Sequence, residues 1–373
     1  MESPRKITMI QAAAVLVSTI IGVGVLALPL FAARAADTGA PLVTLLGILI
    51  AFIGLWLIAK LGMRFPNQSI IEYSEEIVSK WLAWPGSVLI ICFFAVLTSL
   101  TAREFGEVVV TSVLKQTPLE ITVIVMLLLA AISTRNDITT FAYIHYFYVP
   151  LILGPGLFVV AASLKNANWL NLQPIWGNEP TGMLTGALTV AALFQGSFVL
   201  TMIIPWMRQP EKAMKASVWG ILISGGLYIS MVIAAIGVFG ADETKLLLWP
   251  TLELAKMTSL PGNILERLDA AFLAVWVTAV FTTLFSSYYL TTYSICKLFR
   301  LRDQKLFSFF ILPYVFFIAI QPSSILQMYE IIATVGMIGL LVTIGYPGLL
   351  LAVAVIRKKR GNRHGNQQME QAD

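Results

Sequence analysis

The chain has 373 residues, is 58% hydrophobic and only 12% charged, and carries a formal net charge of +5; its mean hydropathy is +0.82. A soluble domain is nearer half apolar and a quarter charged, so this chain has too little polar surface to cover a water-facing core. A soluble globular protein is excluded, and the bilayer is its solvent.

A helix needs about 20 apolar residues to cross the hydrocarbon. Ten segments are candidate spans, at about 9–33, 40–62, 84–102, 119–133, 141–163, 183–206, 216–239, 268–296, 306–321 and 333–356. Hydrocarbon offers no partner for an open backbone N–H. The runs are continuous rather than alternating, which excludes a barrel. The expected fold class is all-α integral membrane, with ten transmembrane helices.

Span one reads Ser18-Thr19-Ile20-Ile21-Gly22-Val23-Gly24-Val25, with Pro29 a turn later. Its apolar run is longer than a signal-peptide core, so it is read as a retained helix. Residues 64–83 carry Ile70, Ile71, Tyr73, Ile77 and Trp81 in an amphipathic pattern, expected to form an interfacial helix. Span three is expected to continue as helix past Arg103. Arg103 and Glu107 lie one turn apart and read as an ion pair, lining an outer vestibule with Glu104. Cys92 and Cys296 have no metal or redox spacing and read as small core residues. His145 falls near the start of span five, by the cytoplasmic edge. Tyr143, Tyr146, Phe147 and Tyr148 read as an interface belt.

Span six reads Phe194-Gln195-Gly196-Ser197-Phe198, with Pro205 following. The longest loop, about 240–267, holds Asp242, Glu243, Glu253 and Glu266. Thr283, Ser286 and Ser287 of span eight are a candidate cation site, although such hydroxyls more often bond within their own helix. Residues 361–373 read as a disordered tail. With the N-terminus inside, eighteen of the 25 Lys and Arg fall inside and seven outside. That bias supports ten spans with both termini cytoplasmic. The positive charge is then a topology signal and does not call for nucleic acid.

Ten spans divide into two inverted halves of one domain, residues 1–373: repeat one about 7–163, repeat two about 183–356. The glycines of spans one and six occupy matching positions, the sequence pointer to broken helices around a mid-membrane site. The expected ligand-binding residues are Thr19, Gly22, Val23, Gly24 and Val25, with Phe194, Gln195, Gly196 and Ser197. Half-helix N-termini facing the breaks would favour an anionic group, and the freed carbonyls an ammonium or a cation. An amino acid suits both, and a sugar could use the same groups. No Walker loop, metal-ligand cluster or catalytic carboxylate pair is present, so neither enzyme activity nor a cofactor is expected.

Other residues carry a resemblance. Lys6-Ile7-Thr8 with Gln11, Ile21 to Leu26 with Leu28-Pro29, Phe65-Pro66 with Ile71-Glu72-Tyr73, and Arg103 with Phe105 occur in order. Thr117-Pro118-Leu119 and Asn171-Leu172-Gln173-Pro174 continue the series. In these the chain resembles the B subunits of spore germinant receptors, the endospore germination permeases of the amino acid–polyamine–organocation transporter superfamily. The resemblance implies a multi-pass protein of the spore inner membrane, partnered by receptor A and C subunits. It also implies a small germinant bound between spans one, three, six and eight, whose binding triggers germination. Gly22 and Gly24 match that superfamily's substrate-binding glycines. The rival expectation is a proton- or sodium-coupled amino-acid permease.

Overall fold

A computed structural model describes residues 6–177, 182–257, 268–301 and 304–361. Its fifteen α-helices among those residues are α1 (Met9–Ile20), α2 (Gly24–Ala36), α3 (Ala40–Arg64), α4 (Ile70–Val78), α5 (Lys80–Ser112), α6 (Leu119–Ser133), α7 (Ile138–Ser163), α8 (Met183–Ala192), α9 (Leu200–Ile203), α10 (Ala213–Thr244), α11 (Pro250–Met257), α12 (Leu268–Leu298), α13 (Gln304–Ala319), α14 (Ile325–Leu340) and α15 (Tyr346–Ile356). Six continuous or joined helical stretches are long and apolar enough to cross a membrane, and α8 forms a seventh with the bent segment after it. Three more apolar helices, α1, α6 and α13, are shorter. The chain is a multi-pass, all-helical membrane protein.

Burial follows that solvent. Leu49 and Ile53 of α3, Ile121, Val125 and Ile132 of α6, and Phe310, Tyr314 and Phe317 of α13 all face outward. In water such apolar patches would drive aggregation; against acyl chains they are at rest. Tyr143, Tyr146 and Phe147 also point outward. Helix α5 does run past Arg103, to Ser112. Cys92 corrects the sequence reading: it is exposed on α5, because the helical period turns Phe93 and Phe94 inward instead, while Cys296 is buried.

Local sequence sets several helix starts. Thr8 and Gln11 form a reciprocal capping box at α1, as do Ser69 and Glu72 at α4. The Asp137 side chain accepts from the Thr140 N–H at the start of α7. Gly240 adopts a positive φ of 77°, which interrupts the regular backbone of α10. Beyond it α11 is a packed helix rather than an open loop, with Leu252, Leu254 and Ala255 buried. Glu266 of the predicted loop and the predicted tail from residue 362 lie outside the described residues.

Helix α4 departs from its expected interfacial role. Ile70, Ile71, Tyr73 and Ile77 are each at most 2% exposed, because they pack on protein; only Trp81, on the first turn of α5, stands out at 90%. Glu72 of α4 meets Lys297 of α12 at 2.8 Å. Burial alone raises the Glu72 carboxyl, but the Lys297 hydrogen bond, the Ser69 N–H and the Lys297 charge outweigh it and hold it below the ordinary 4.5. Its stabilising contribution is therefore present above that value and lost as pH falls through the lower folded value. Wild type is expected to be more stable than Glu72→Gln at neutral pH, with the gap narrowing as the pH falls below the ordinary carboxyl value of 4.5. Thermal unfolding of both proteins checks this, and a gap that persists in acid counts against the pairing.

The start of the chain is tied to the end of the bent segment. Ile7 bridges Met207, with Ile7 N–H donating to the Trp206 carbonyl at 3.1 Å and Arg208 N–H to the Ile7 carbonyl at 2.9 Å. Lead-in to the first interruption and exit from the second are thus fastened together.

Candidate functional site

Between α1 and α2 the helix is open at residues 21–23, and Ile21 is extended at φ −79°, ψ 96°. The opening deprives the carbonyls of residues 18–20 of their i+4 donors. Side chains replace them. Thr282 Oγ1 donates to the Ser18 carbonyl at 2.8 Å, Thr283 Oγ1 to Thr19 at 2.9 Å and Tyr228 Oη to Ile20 at 2.7 Å. Trp276 Nε1 donates to the Gly22 carbonyl at 3.3 Å and Thr251 Oγ1 to Val25 at 2.7 Å. Five carbonyls at and beside this break thus already carry a protein donor, where the sequence reading left them open for an ammonium or cation. Protein donors satisfy them, each bond contributing about 1 kcal/mol net.

The second interruption is looser. After α8 the chain turns by 44° into a 3₁₀ stretch, Gln195–Val199, then the single turn of α9 and another 3₁₀ turn, Ile204–Trp206. No long half-helix follows, so the dipole argument that applies at α2 does not apply here. Pro205 lacks an N–H and keeps the segment irregular. Gly196 lets it approach α1: a Cβ there would lie 2.9 Å from Thr19 Cγ2 and 3.1 Å from the Thr19 carbonyl oxygen.

The two interruptions meet at a cavity of about 120 Å³. One water needs about 10–15 Å³ on this scale, so the cavity has room for a small metabolite. Its wall comes from α1, α2, α5, α8, the Gln195–Val199 stretch, α12 and α14. Thr19, Val23, Gly24, Gln195 and Gly196 line it, as do Thr283, Ser286 and Ser287. The other four expected ligand residues do not. Gly22 is held against Thr283 and Trp276, and Val25 gives its carbonyl to Thr251 of α11 while lining a separate crevice with Ile152, Leu227 and Phe272. Phe194 packs edge-on against Tyr228 with ring centroids 5.1 Å apart, and Ser197 is buried behind the turn. A break exposes only one side of a backbone, so the residues flanking each lining pair face away.

The hydroxyls of α12 divide. Ser287 bonds within its own helix, to Leu284, while Thr283 reaches across to α1. Ser286 Oγ lies 2.6 Å from Thr19 Oγ1 and 2.8 Å from His145 Nε2. His145 is thus fully buried in α7, against α12, and its Nδ1 meets the Phe141 carbonyl at 2.8 Å. Gln195 Nε2 donates to the Gly336 carbonyl at 2.5 Å, fixing the second interruption to α14. The expected vestibule also splits. Arg103 pairs with Glu107 at 2.6 Å, whereas Glu104 turns into the cavity wall beside Tyr329.

Sequence reasoning missed Tyr228, Trp276, Thr251 and Tyr329. A signal existed: buried Tyr and Trp have polar tips that need partners, and an opened helix supplies them. Which residue serves which carbonyl was a question of packing.

Comparison with known proteins places this geometry. Residues 6–328 match the family described as spore germination protein. Spore germination protein YndE of Bacillus subtilis (strain 168) is 27% identical over 357 residues, covering 95% of this chain and 98% of its own. Spore germination protein GerLB of Bacillus cereus is 25% identical, covering 92% and 93%. Among solved structures, MhsT in complex with L-phenylalanine superposes with a TM-score of 0.67 at 12% identity, covering 96% of this chain and 91% of that one. A substrate-bound Na⁺-coupled sialic acid symporter gives 0.64 at 12% identity, covering 91% and 78%. These likenesses describe a transporter-type fold, and the family is one of permeases rather than enzymes. The chain belongs to the spore germination protein family of membrane permeases.

Proposed function

We propose that the chain is the B-type membrane subunit of a nutrient germinant receptor, binding a small germinant in the cavity and triggering germination. The observation that carries the reading is the meeting of both interrupted segments, at Val23–Gly24 and at Gln195–Gly196, on one cavity. The fold likeness and the spore germination relatives support it. The germinant is a small solute, an amino acid before a sugar. In this reading ten spans form one transporter-like domain of two inverted halves, about 7–163 and 183–356. Both termini face the spore core, and the membrane is the spore inner membrane. Receptor A and C subunits are its partners. Spores lacking the chain are expected to lose their response to at least one nutrient; an unchanged response across a full nutrient panel overturns the reading.

A coupled permease is the second reading, favoured by Thr283, Ser286 and Ser287 on the cavity wall. Against it, Thr283 and Ser287 already donate to carbonyls, and Ser286 is bonded to Thr19 and His145. Ion-dependent uptake of radiolabelled amino acid into vesicles holding this chain alone would establish it; absence of uptake favours the receptor.

A further inference from the structure

Glu104 is the only residue with a charged side chain among those described as lining the cavity. It is 4% exposed. Its neighbour Arg103 offers no countercharge, since the guanidinium is turned to Glu107 through both Nε and Nη2. The partner that Glu104 does have is Tyr329, whose Oη lies 3.3 Å from Oε1. That hydroxyl accepts from Trp249 Nε1 at 2.9 Å, so its one hydrogen is directed at Glu104. No other hydrogen bond or ion pair among the described residues includes Glu104. The second carboxylate oxygen is left to whatever fills the cavity.

A buried carboxylate compensated by one neutral donor is poorly satisfied. The rest of the described wall brings no opposite charge, and Thr101, one turn away on α5, adds only a neutral hydroxyl. Leu97, Leu100 and Phe94 lie below Glu104 on α5, Phe31 stands across from Tyr329, and the hydroxyls of α12 that line the cavity are bonded to carbonyls, or, for Ser286, to Thr19 and His145. An anionic solute would meet like charge here, and a neutral polyol would leave the carboxylate uncompensated. An ammonium group brings the opposite charge and three donors. Resting on the reading of this cavity as the solute site, we infer that the solute carries a protonated amine and that Glu104 receives it. The carboxylate then sets specificity: amine-bearing solutes are admitted and their hydroxyl counterparts are not.

Direct binding to the full chain in nanodiscs tests this with matched probes. L-Alanine, L-phenylalanine, glucosamine and 2-phenylethylamine are each compared with L-lactate, L-3-phenyllactate, glucose and 2-phenylethanol. At least one amine is expected to bind about 10- to 100-fold more tightly than its hydroxyl partner. Glu104→Gln keeps the shape and an acceptor for Tyr329 but removes the charge, and is expected to abolish that preference; Glu104→Asp keeps the charge and should keep the sign of the preference. Equal binding of amine and hydroxyl members, or an unchanged preference in a folded Glu104→Gln protein, overturns the assignment and leaves the cavity reading standing. Binding of no probe at all overturns the small-solute reading, and this assignment with it.

Discussion

Gly22→Ala is expected to abolish the germinant response while leaving the protein in the membrane, whereas Gly24→Ala is expected to respond almost as wild type. The two glycines look alike in sequence but meet different surroundings. A Cβ on Gly22 would lie 2.2 Å from Thr283 Oγ1 and 2.8 Å from Thr283 Cβ. Thr283 is short and branched, so it cannot yield without giving up its hydrogen bond to the Thr19 carbonyl. Overpacking of this kind costs about 1–3 kcal/mol, and here it also loosens the turn that forms the cavity. A Cβ on Gly24 would come tightest against the Leu193 Cδ2 methyl, at 3.1 Å, the far end of a flexible side chain, with Leu193 Cβ and Cγ at ordinary contact distance. A bulky Gly24→Leu substitution would still block the site, because Gly24 lines the cavity. Membrane-fraction abundance together with nutrient response in spores carrying each variant reads out both effects. Thr283→Ala should partly restore Gly22→Ala, since it removes the clashing oxygen. A normal response from Gly22→Ala would show that the packing at the break is not as described.

Arg103→Met is the second large effect. Arg103 and Glu107 form a 2.6 Å pair whose side chains are only 7% and 13% exposed. Breaking a buried pair from one side leaves an uncompensated charge and costs about 3–5 kcal/mol. Replacing both partners with apolar residues, Arg103→Met with Glu107→Leu, is expected to recover most of that loss. Thermal unfolding of the purified protein separates the cases. If the single and double variants are equally unstable, the cost lies in lost packing of the arginine stem rather than in the orphaned carboxylate. Glu107→Leu alone bears on Glu104 too, since Arg103 stays committed to Glu107 only while that partner is present.

Much of the architecture was legible because lipid imposes a coarse code. Long apolar runs mark the helices, whereas the caps at Thr8, Ser69 and Asp137 were recognised only in the structure. The interruptions could be read from Gly22, Gly24 and Gly196, because backbone irregularity within a membrane is tolerated only beside protein or a cavity. The Arg103–Glu107 pair followed from helical spacing alone. Helix α4 misled for a local reason: its apolar stripe is the same whether it packs on lipid or on protein.

The amino-acid sequence by itself determined that this protein lives in a bilayer, that its segments are helical, and that two of them are broken near glycine. Tertiary structure alone decided which side of each break faces the cavity and which donors close the opened carbonyls. It also decided that His145 reaches Ser286 and that Glu104, rather than Arg103, enters the wall. The reason is one of range. Periodicity and capping act over a few residues, whereas Thr283 and Thr19 are separated by 264 positions and Glu104 and Tyr329 by 225. Partnerships of that kind are settled by how helices pack, and the pattern within any one helix does not encode them.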